Sequence, residues 1–299
     1  FCSSILRCQA GAIPSIFSLL MSMTPLRSTL LLLLAVAASS APVVLVTGAT
    51  GGTGMLVYNM LKEQGVGVRG LVRNVTKARE LLKCDKCDAA EGIFVGDVTK
   101  KETLNAAMEG VTALAITTSS VPHCTDFKDP KTCGYPKGGF PVDVDYNGGK
   151  NQIEVFGKMS NGTPGPVVLC SSMGTTDPES FLEKLGNGHI GFYKLNEESF
   201  LMSSGIPFTI IKPCGLYDAE AGKRELRVGH DDDMHETPPT IPRADVAKVM
   251  VEALLKPKEA EDLRFDLCSR VGTPTTDIGK VFEAARYPWQ AAEATQFSI

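Results

Sequence analysis

Short apolar runs and stretches of helical periodicity alternate along most of this chain. "VVLV" (Val43–Val46) is a β-branched run without a polar break, the pattern of a strand buried on both faces. "MLVYNMLKEQG" (Met55–Gly65) then places apolar residues at helical spacing and stops at a glycine. Further runs predict strands at Val66–Val72, Ile93–Val95 and Ala113–Thr117, and within "PVVLCSSMG", "PFTIIKPCG" and "LRFDLCS". Helices are predicted between them at Thr76–Leu82, Lys101–Met108, Asp145–Met159, Phe192–Ser203, Arg243–Leu255 and Asp277–Ala285. Apolar strands separated by helices give a parallel sheet covered on both faces. Right-handed crossovers make that sheet doubly wound, so the expected fold class is α/β.

The turn between the first strand and the first helix reads "TGATGGTG", with Gly48, Gly51 and Gly54 three apart. Glycine lets the chain turn tightly and lets a ligand approach backbone N–H groups. The helix N-terminus adds partial positive charge, so phosphate is the natural ligand. Thr50, Gly52 and Thr53 fill the same turn and join it as candidate contacts. The spacing is not the G-x-G-x-x-G of dehydrogenases, and a glycine-rich turn can also be purely structural. Arg73 ends the second strand, where an acid would hold a ribose 2′-OH and select NAD. An arginine there pairs instead with a 2′-phosphate, which predicts NADP; Lys77 and Arg69 are near in sequence. Asp97, in "GDVT" after the third strand, either bonds near an adenine or forms an Asx turn. Thr117 ends the fourth strand at the same edge, and a long Pro/Gly-rich loop, Val121–Val142, follows it.

Composition narrows the partners. With 43% hydrophobic and 21% charged residues and a net charge of −4, the chain reads as a soluble globular protein. It has no basic run for nucleic acid. The acidic stretch "HDDDMHE" has no recognised ligand spacing with His230 and His235, and reads as a solvated loop rather than a metal site. The N-terminus differs from the rest. From Met21 or Met23, "MTPLRSTLLLLLAVAASSAP" carries a basic residue, an apolar core and small residues, the layout of a secretory signal cut after Ala41. Residues 1–41 are therefore expected to be a targeting segment and 42–299 a single nucleotide-binding domain. Uncleaved, the segment would anchor the protein to a membrane; a plastid or cytoplasmic address is the alternative to the secretory one. Cys84/Cys87 and Cys124/Cys133, among nine cysteines, are either disulfides or free thiols. Sequons stand at Asn74 and Asn161, the first where the nucleotide is expected.

Taken together, "VTGATGGTG", "VRGLVRN", "GDVT", "KLGNGHIGFYKLNEESF" and "GIPFTIIKPCGLYD" resemble the atypical branch of the short-chain dehydrogenase/reductase superfamily. Within it they are similar to plant and algal NAD(P)-binding Rossmann-fold proteins. "YNGGKNQIEVF", "RELRVGHDDD" and "TIPRADVAKVMVEAL" extend the likeness over Val43–Ala285. The resemblance implies a Rossmann-like NADP-binding domain with a small C-terminal lobe on the substrate side. It also implies a Tyr-x-x-x-Lys pair, the tyrosine protonating a carbonyl oxygen and the lysine lowering its pKa, with a serine on the fifth strand. Lys194 matches the lysine and Ser172 the serine, with Ser171 beside it. Ile190 stands where the tyrosine should be and has no proton to give. Tyr193, adjacent to Lys194, would point roughly 100° away on a helix. Ser172 is either catalytic or a strand-end hydroxyl. Pro213 is expected against the nicotinamide, and Cys214 beside it is a candidate reactive thiol. Two functions follow. One is a reductase of small quinone or enone acceptors, favoured by Lys194 and Ser172. The other is a non-catalytic NADP(H)-responsive protein whose loop Val121–Val142 changes shape for a protein partner, favoured by Ile190.

Overall fold

A computed structural model describes residues 42–160, 164–236 and 238–290. The targeting segment expected at 1–41, its cut after Ala41 and the Asn161 sequon lie outside the described residues. Strand β1 (Val43–Thr47) leads through the glycine turn into helix α1 (Gly52–Glu63). Then come β2 (Gly67–Val72), α2 (Val75–Leu82), β3 (Ile93–Val95), α3 (Asn105–Met108) and β4 (Ala113–Ile116). A two-stranded hairpin, β5 (His123–Cys124) with β6 (Cys133–Gly134), occupies the long loop. The second half holds α4 (Gly148–Met159), β7 (Val167–Cys170), α5 (Phe181–Lys184), α6 (Ile190–Ser203), β8 (Phe208–Pro213) and β9 (Gly215–Tyr217). It closes with β10 (Glu225–Gly229), β11 (Thr240–Pro242), α7 (Arg243–Leu255), α8 (Pro257–Ala260), β12 (Leu263–Arg270) and α9 (Gly279–Ala284).

The main sheet runs in the order β3-β2-β1-β4-β7-β8-β12, all neighbours parallel. Beyond β8, the eight-residue β12 pairs antiparallel with both β10 and β11, and β11 pairs parallel with β9. This edge is the C-terminal lobe. Side chains alternate across the sheet, as the pleat requires. Val44, Val46, Ala113, Ala115, Val168 and Ile211 join α1 and α7 in one core cluster. Leu45, Leu114, Ile116, Val167, Leu169 and Ile210 join α3, α4 and α6 in the other. Each large apolar side chain buried this way stabilises by about 1.5–3 kcal/mol. The chain winds from β1 out to β3 and then crosses back to β4 on the other side of β1, so the strand order reverses between β1 and β4. Ligands of such sheets bind in the crevice that this reversal opens at the C-terminal strand ends.

Several elements differ from the sequence expectation. The helix expected at Lys101–Met108 is a 3₁₀ turn, Lys101–Leu104, followed by a single turn of α-helix. The one expected from Asp145 starts with a π-helical turn, Val142–Asn147. The acidic stretch is not a solvated loop throughout. Asp232 accepts from Lys212 Nζ at 2.8 Å and from the N–H groups of Gly174 and Thr176 at 2.7 Å each. Arg264 Nη1 donates to Asp231 at 2.7 Å. Buried cations elsewhere in the fold need counter-charges, and this loop supplies them; Asp233 and His235 stay in solvent, paired with each other at 3.2 Å. Cys84–Cys87 and Cys124–Cys133 are both bridged, and Cys214 lies against Cys268, 5.1 Å apart between Cα atoms. Among the described residues no helix is long and apolar enough to cross a membrane.

Candidate functional site

A cavity of about 440 Å³ opens at the C-terminal ends of β1, β2, β3, β4 and β7, at the strand-order reversal. Its floor is the glycine turn. Gly48 has φ +72°, a conformation that side chains other than hydrogen disfavour. Gly51 is the N-cap of α1 and carries no capping side chain, so the first N–H groups of the helix are left for a ligand. Gly48, Thr50, Gly51, Gly52 and Thr53 line the cavity. Gly54 does not. A Cβ there would run into the Gly48 carbonyl and the Thr117 hydroxyl, so this glycine serves close packing of α1 on the sheet. Thr117 lines the cavity too, with its hydroxyl donated to the Thr47 carbonyl.

One end of the cavity is cationic. Arg73 and Lys77 line it, and neither side chain has a hydrogen bond or ion pair among the described residues. Asn74 between them caps α2 by accepting from the Lys77 N–H at 3.0 Å. Asp97 lines the same end, and its carboxylate accepts from the Thr99 N–H and hydroxyl. The Asx turn and the position at the cavity are therefore both present. Arg69 is turned away, donating to the carbonyls of Ala107 and Glu109.

The other end is apolar-walled with one buried charge. Val121, Val144, Leu182, Ile190 and Leu216 line it, together with Cys170, Ser171, Ser172 and Lys194. Lys194 is 4% exposed and its Nζ lies 3.0 Å from Asp145 Oδ1. Asp145 is fully buried and accepts from the Ser119 hydroxyl at 2.8 Å and the Ser120 N–H at 3.0 Å. Burial alone would lower the Lys194 pKa. Asp145 reverses that and holds the ammonium above its ordinary range. An ammonium carries three donors, and beyond the ion pair with Asp145 the Lys194 Nζ has no other partner among the described residues. Ser172 donates only to the Met173 carbonyl, at 3.0 Å, whereas Ser171 donates to buried Glu198. Burial pushes the Cys170 thiol up to about 11, which keeps it protonated.

Among the described residues no tyrosine lines the cavity. Tyr193 is off the cavity, packed near Tyr146 and Phe192. Tyr135 is nearby, but burial and the charges of Asp145 and Glu183 push its phenol up to about 12, making it a poorer acid. Pro213 is buried at the end of β8 and does not line the cavity. Its carbonyl accepts from the Met173 N–H, and Leu216 on β9 lines the cavity. Sequence reasoning missed Asp145, Ser119 and Arg243. Only Arg243 left a signal, a cation at the positive end of its own helix, in "IPRADVA".

The cradle fits a nicotinamide dinucleotide: a glycine turn with free helix N–H groups for phosphates, cations at one end and an apolar wall at the other. The comparisons agree. Residues 48–257 match the family described as NAD(P)H-binding. The chain is 42% identical to a chloroplastic protein of Arabidopsis thaliana, over 82% of this chain and 76% of that protein. It is 37% identical to sanguinarine reductase of Eschscholzia californica, over 82% of this chain and 97% of that enzyme. Among solved structures, an anaerobilin reductase of Escherichia coli O157:H7 superposes with a TM-score of 0.56 at 22% identity, covering 79% of this chain and 100% of that one, which is a likeness of fold. The chain belongs to the NAD(P)H-binding Rossmann-fold family, among proteins like the atypical short-chain dehydrogenases/reductases.

Proposed function

We propose that, as a member of that family, this protein binds NADP(H) in the cavity and reduces small, flat, conjugated acceptors of the quinone or enone type. The observation that carries the reading is a buried, charged Lys194 at an apolar end of the cavity where Ile190 replaces the proton donor. When bound, the reduced nicotinamide supplies a hydride. Gly48, Thr50, Gly51, Gly52 and Thr53 would hold the phosphates, and Arg73 with Lys77 the 2′-phosphate, which favours NADP over NAD. Lys194 orients the ribose and sets a fixed positive charge near the acceptor. Ser172, with Ser171 beside it, offers a hydroxyl to the acceptor oxygen. An acceptor whose product anion is already delocalised needs less protonation in the transition state, so it tolerates the isoleucine. Val121, exposed at the lining, and the apolar wall of Val144, Leu182, Ile190 and Leu216 suit an apolar ring system. The relative named for its reductase activity supports the reaction type, and the relative named as chloroplastic supports the plastid alternative.

NADPH consumption against a panel of quinones, enones, aldehydes and aliphatic ketones tests this. Turnover is expected with the first two classes and slower by about 10²–10⁴-fold with aliphatic ketones. Tyr193→Phe should leave it unchanged and Lys194→Ala should reduce it. Brisk ketone reduction abolished by Tyr193→Phe overturns the assignment. Ile190 also favours the second reading, a non-catalytic NADP(H)-responsive protein. Tight NADPH binding with no acceptor turned over selects it.

A further inference from the structure

Strand pairing decides where Arg243 points. β11 and β9 run parallel with Pro242 opposite Tyr217, so the next residues, Arg243 and Asp218, emerge side by side from the same edge. Arg243 Nη1 donates to Asp218 Oδ1 at 2.8 Å. Arg243 opens α7, which packs along α1 in one core cluster. At the first residue of α1 the chain has a glycine. A Cβ on Gly52 would come 2.9 Å from Arg243 Cδ and 3.0 Å from its Nε. The arginine stem therefore crosses directly over the start of α1, and Arg243 lines the cavity beside the glycine turn.

We propose that Arg243 is a ligand of the nucleotide's diphosphate, held ready by Asp218 and handed over when the nucleotide binds. This rests on the nucleotide occupying this cavity. The glycine turn and the α1 N-terminus draw the phosphates to the point that Arg243 crosses. A guanidinium offers a planar fork that matches phosphate oxygens two at a time. Asp218 is 89% exposed, so its grip on Arg243 is screened by water and exchanged easily. The cations of the cavity then divide their work. Arg73 and Lys77 read the 2′-phosphate and distinguish the two dinucleotides; Arg243 binds the diphosphate that both contain.

The test is direct binding of NADPH and of NADH, followed by nucleotide fluorescence. Wild type, Arg243→Ala, Arg243→Lys, Arg73→Ala and Asp218→Asn are compared, with thermal melts of each protein without nucleotide. Arg243→Ala is expected to weaken NADPH and NADH by the same factor, about tenfold or more. Arg243→Lys should fall between it and wild type, since it keeps the charge but not the fork. Arg73→Ala should weaken NADPH alone. Asp218→Asn should leave both affinities unchanged or somewhat tighter, because a competing anion has gone. Loss confined to NADPH in Arg243→Ala, or no loss at all, overturns the proposal. So does an Asp218→Asn variant that binds as poorly as Arg243→Ala, because the pair is then a strut. If Arg243→Ala melts early, Arg243→Lys and Asp218→Asn decide by the same criteria. A wild type that binds neither nucleotide overturns the cavity reading along with this one.

Discussion

On the proposed reading, cofactor choice turns on Arg73. It projects from the end of β2 into the cavity with no partner of its own among the described residues, so its charge is available to a ligand. A charge-assisted contact to phosphate is worth about 1.5–3 kcal/mol. Arg73→Asp should therefore weaken NADPH by roughly tenfold to 150-fold, and reverse the preference in favour of NADH, because an acid at this place suits the free ribose 2′-OH. Calorimetry with both nucleotides checks it; equal affinities in the unmutated protein refute it. Arg73 was legible in the sequence because strand ends are. The counter-charge Asp145 was not, since nothing local to residue 145 says that Lys194 will be buried against it.

At the scale of elements, α6 and α4 meet at an uncompensated carboxyl. Glu197 of α6 is 1% exposed, and neither of its oxygens has a hydrogen-bond partner among the described residues. It fits because Gly149 of α4 has no side chain; a Cβ there would collide with Glu197 Oε1. Burial holds the Glu197 pKa well above its ordinary range, with Asp145 and Glu198 adding to the rise and Lys194 opposing it. The folded protein thus keeps a proton that the unfolded chain releases above about pH 4.5. Its contribution to stability is complete below that pH and is lost as pH rises towards the folded pKa. Glu197→Gln carries no such proton and should be more stable than wild type at pH 8, by about 1–3 kcal/mol, with the gap closing towards pH 4. Denaturant unfolding at both pH values measures this. A glutamine variant less stable at pH 8 would mean that the carboxylate is ionised and paired.

The whole molecule is tied together by an ionic network between the acidic loop and the sheet. Lys212 is fully buried between Asp232 at 2.8 Å and Asp266 at 3.1 Å. Arg264 joins Asp231 to Glu198, which in turn receives Ser171 at the cavity wall. Burial would raise the Asp232 pKa. Lys212, Thr176 and the Gly174 and Thr176 N–H groups outweigh it and lower the carboxyl to about 2. A depressed carboxylate stabilises at pH above its unfolded value and loses that contribution as pH falls, here between about 4 and 2. Asp266, whose pKa burial raises, acts in the opposite direction and blunts the slope. Asp232→Asn should cost about 2 kcal/mol at pH 7 and make the acid limb shallower. Unfolding curves at pH 7 and pH 3 test it, and equal losses at both would contradict the assignment.

The doubly wound sheet, the glycine turn after β1, Arg73 at the end of β2 and the isoleucine four residues before Lys194 are all legible in the sequence by itself. They depend on periodicity and on neighbours within one or two turns of chain, where spacing is geometry. The tertiary structure alone decided that Gly54 packs against Thr117 and that Asp145 pairs with Lys194. It also brought Arg243 over the first turn of α1, set Cys214 against Cys268, and folded Asp231 and Asp232 onto Arg264 and Lys212. Each of these joins segments far apart in the chain. A charge or thiol shows its own chemistry in the sequence, whereas its partner is set by strand order and crossover, which bring distant residues to one sheet edge.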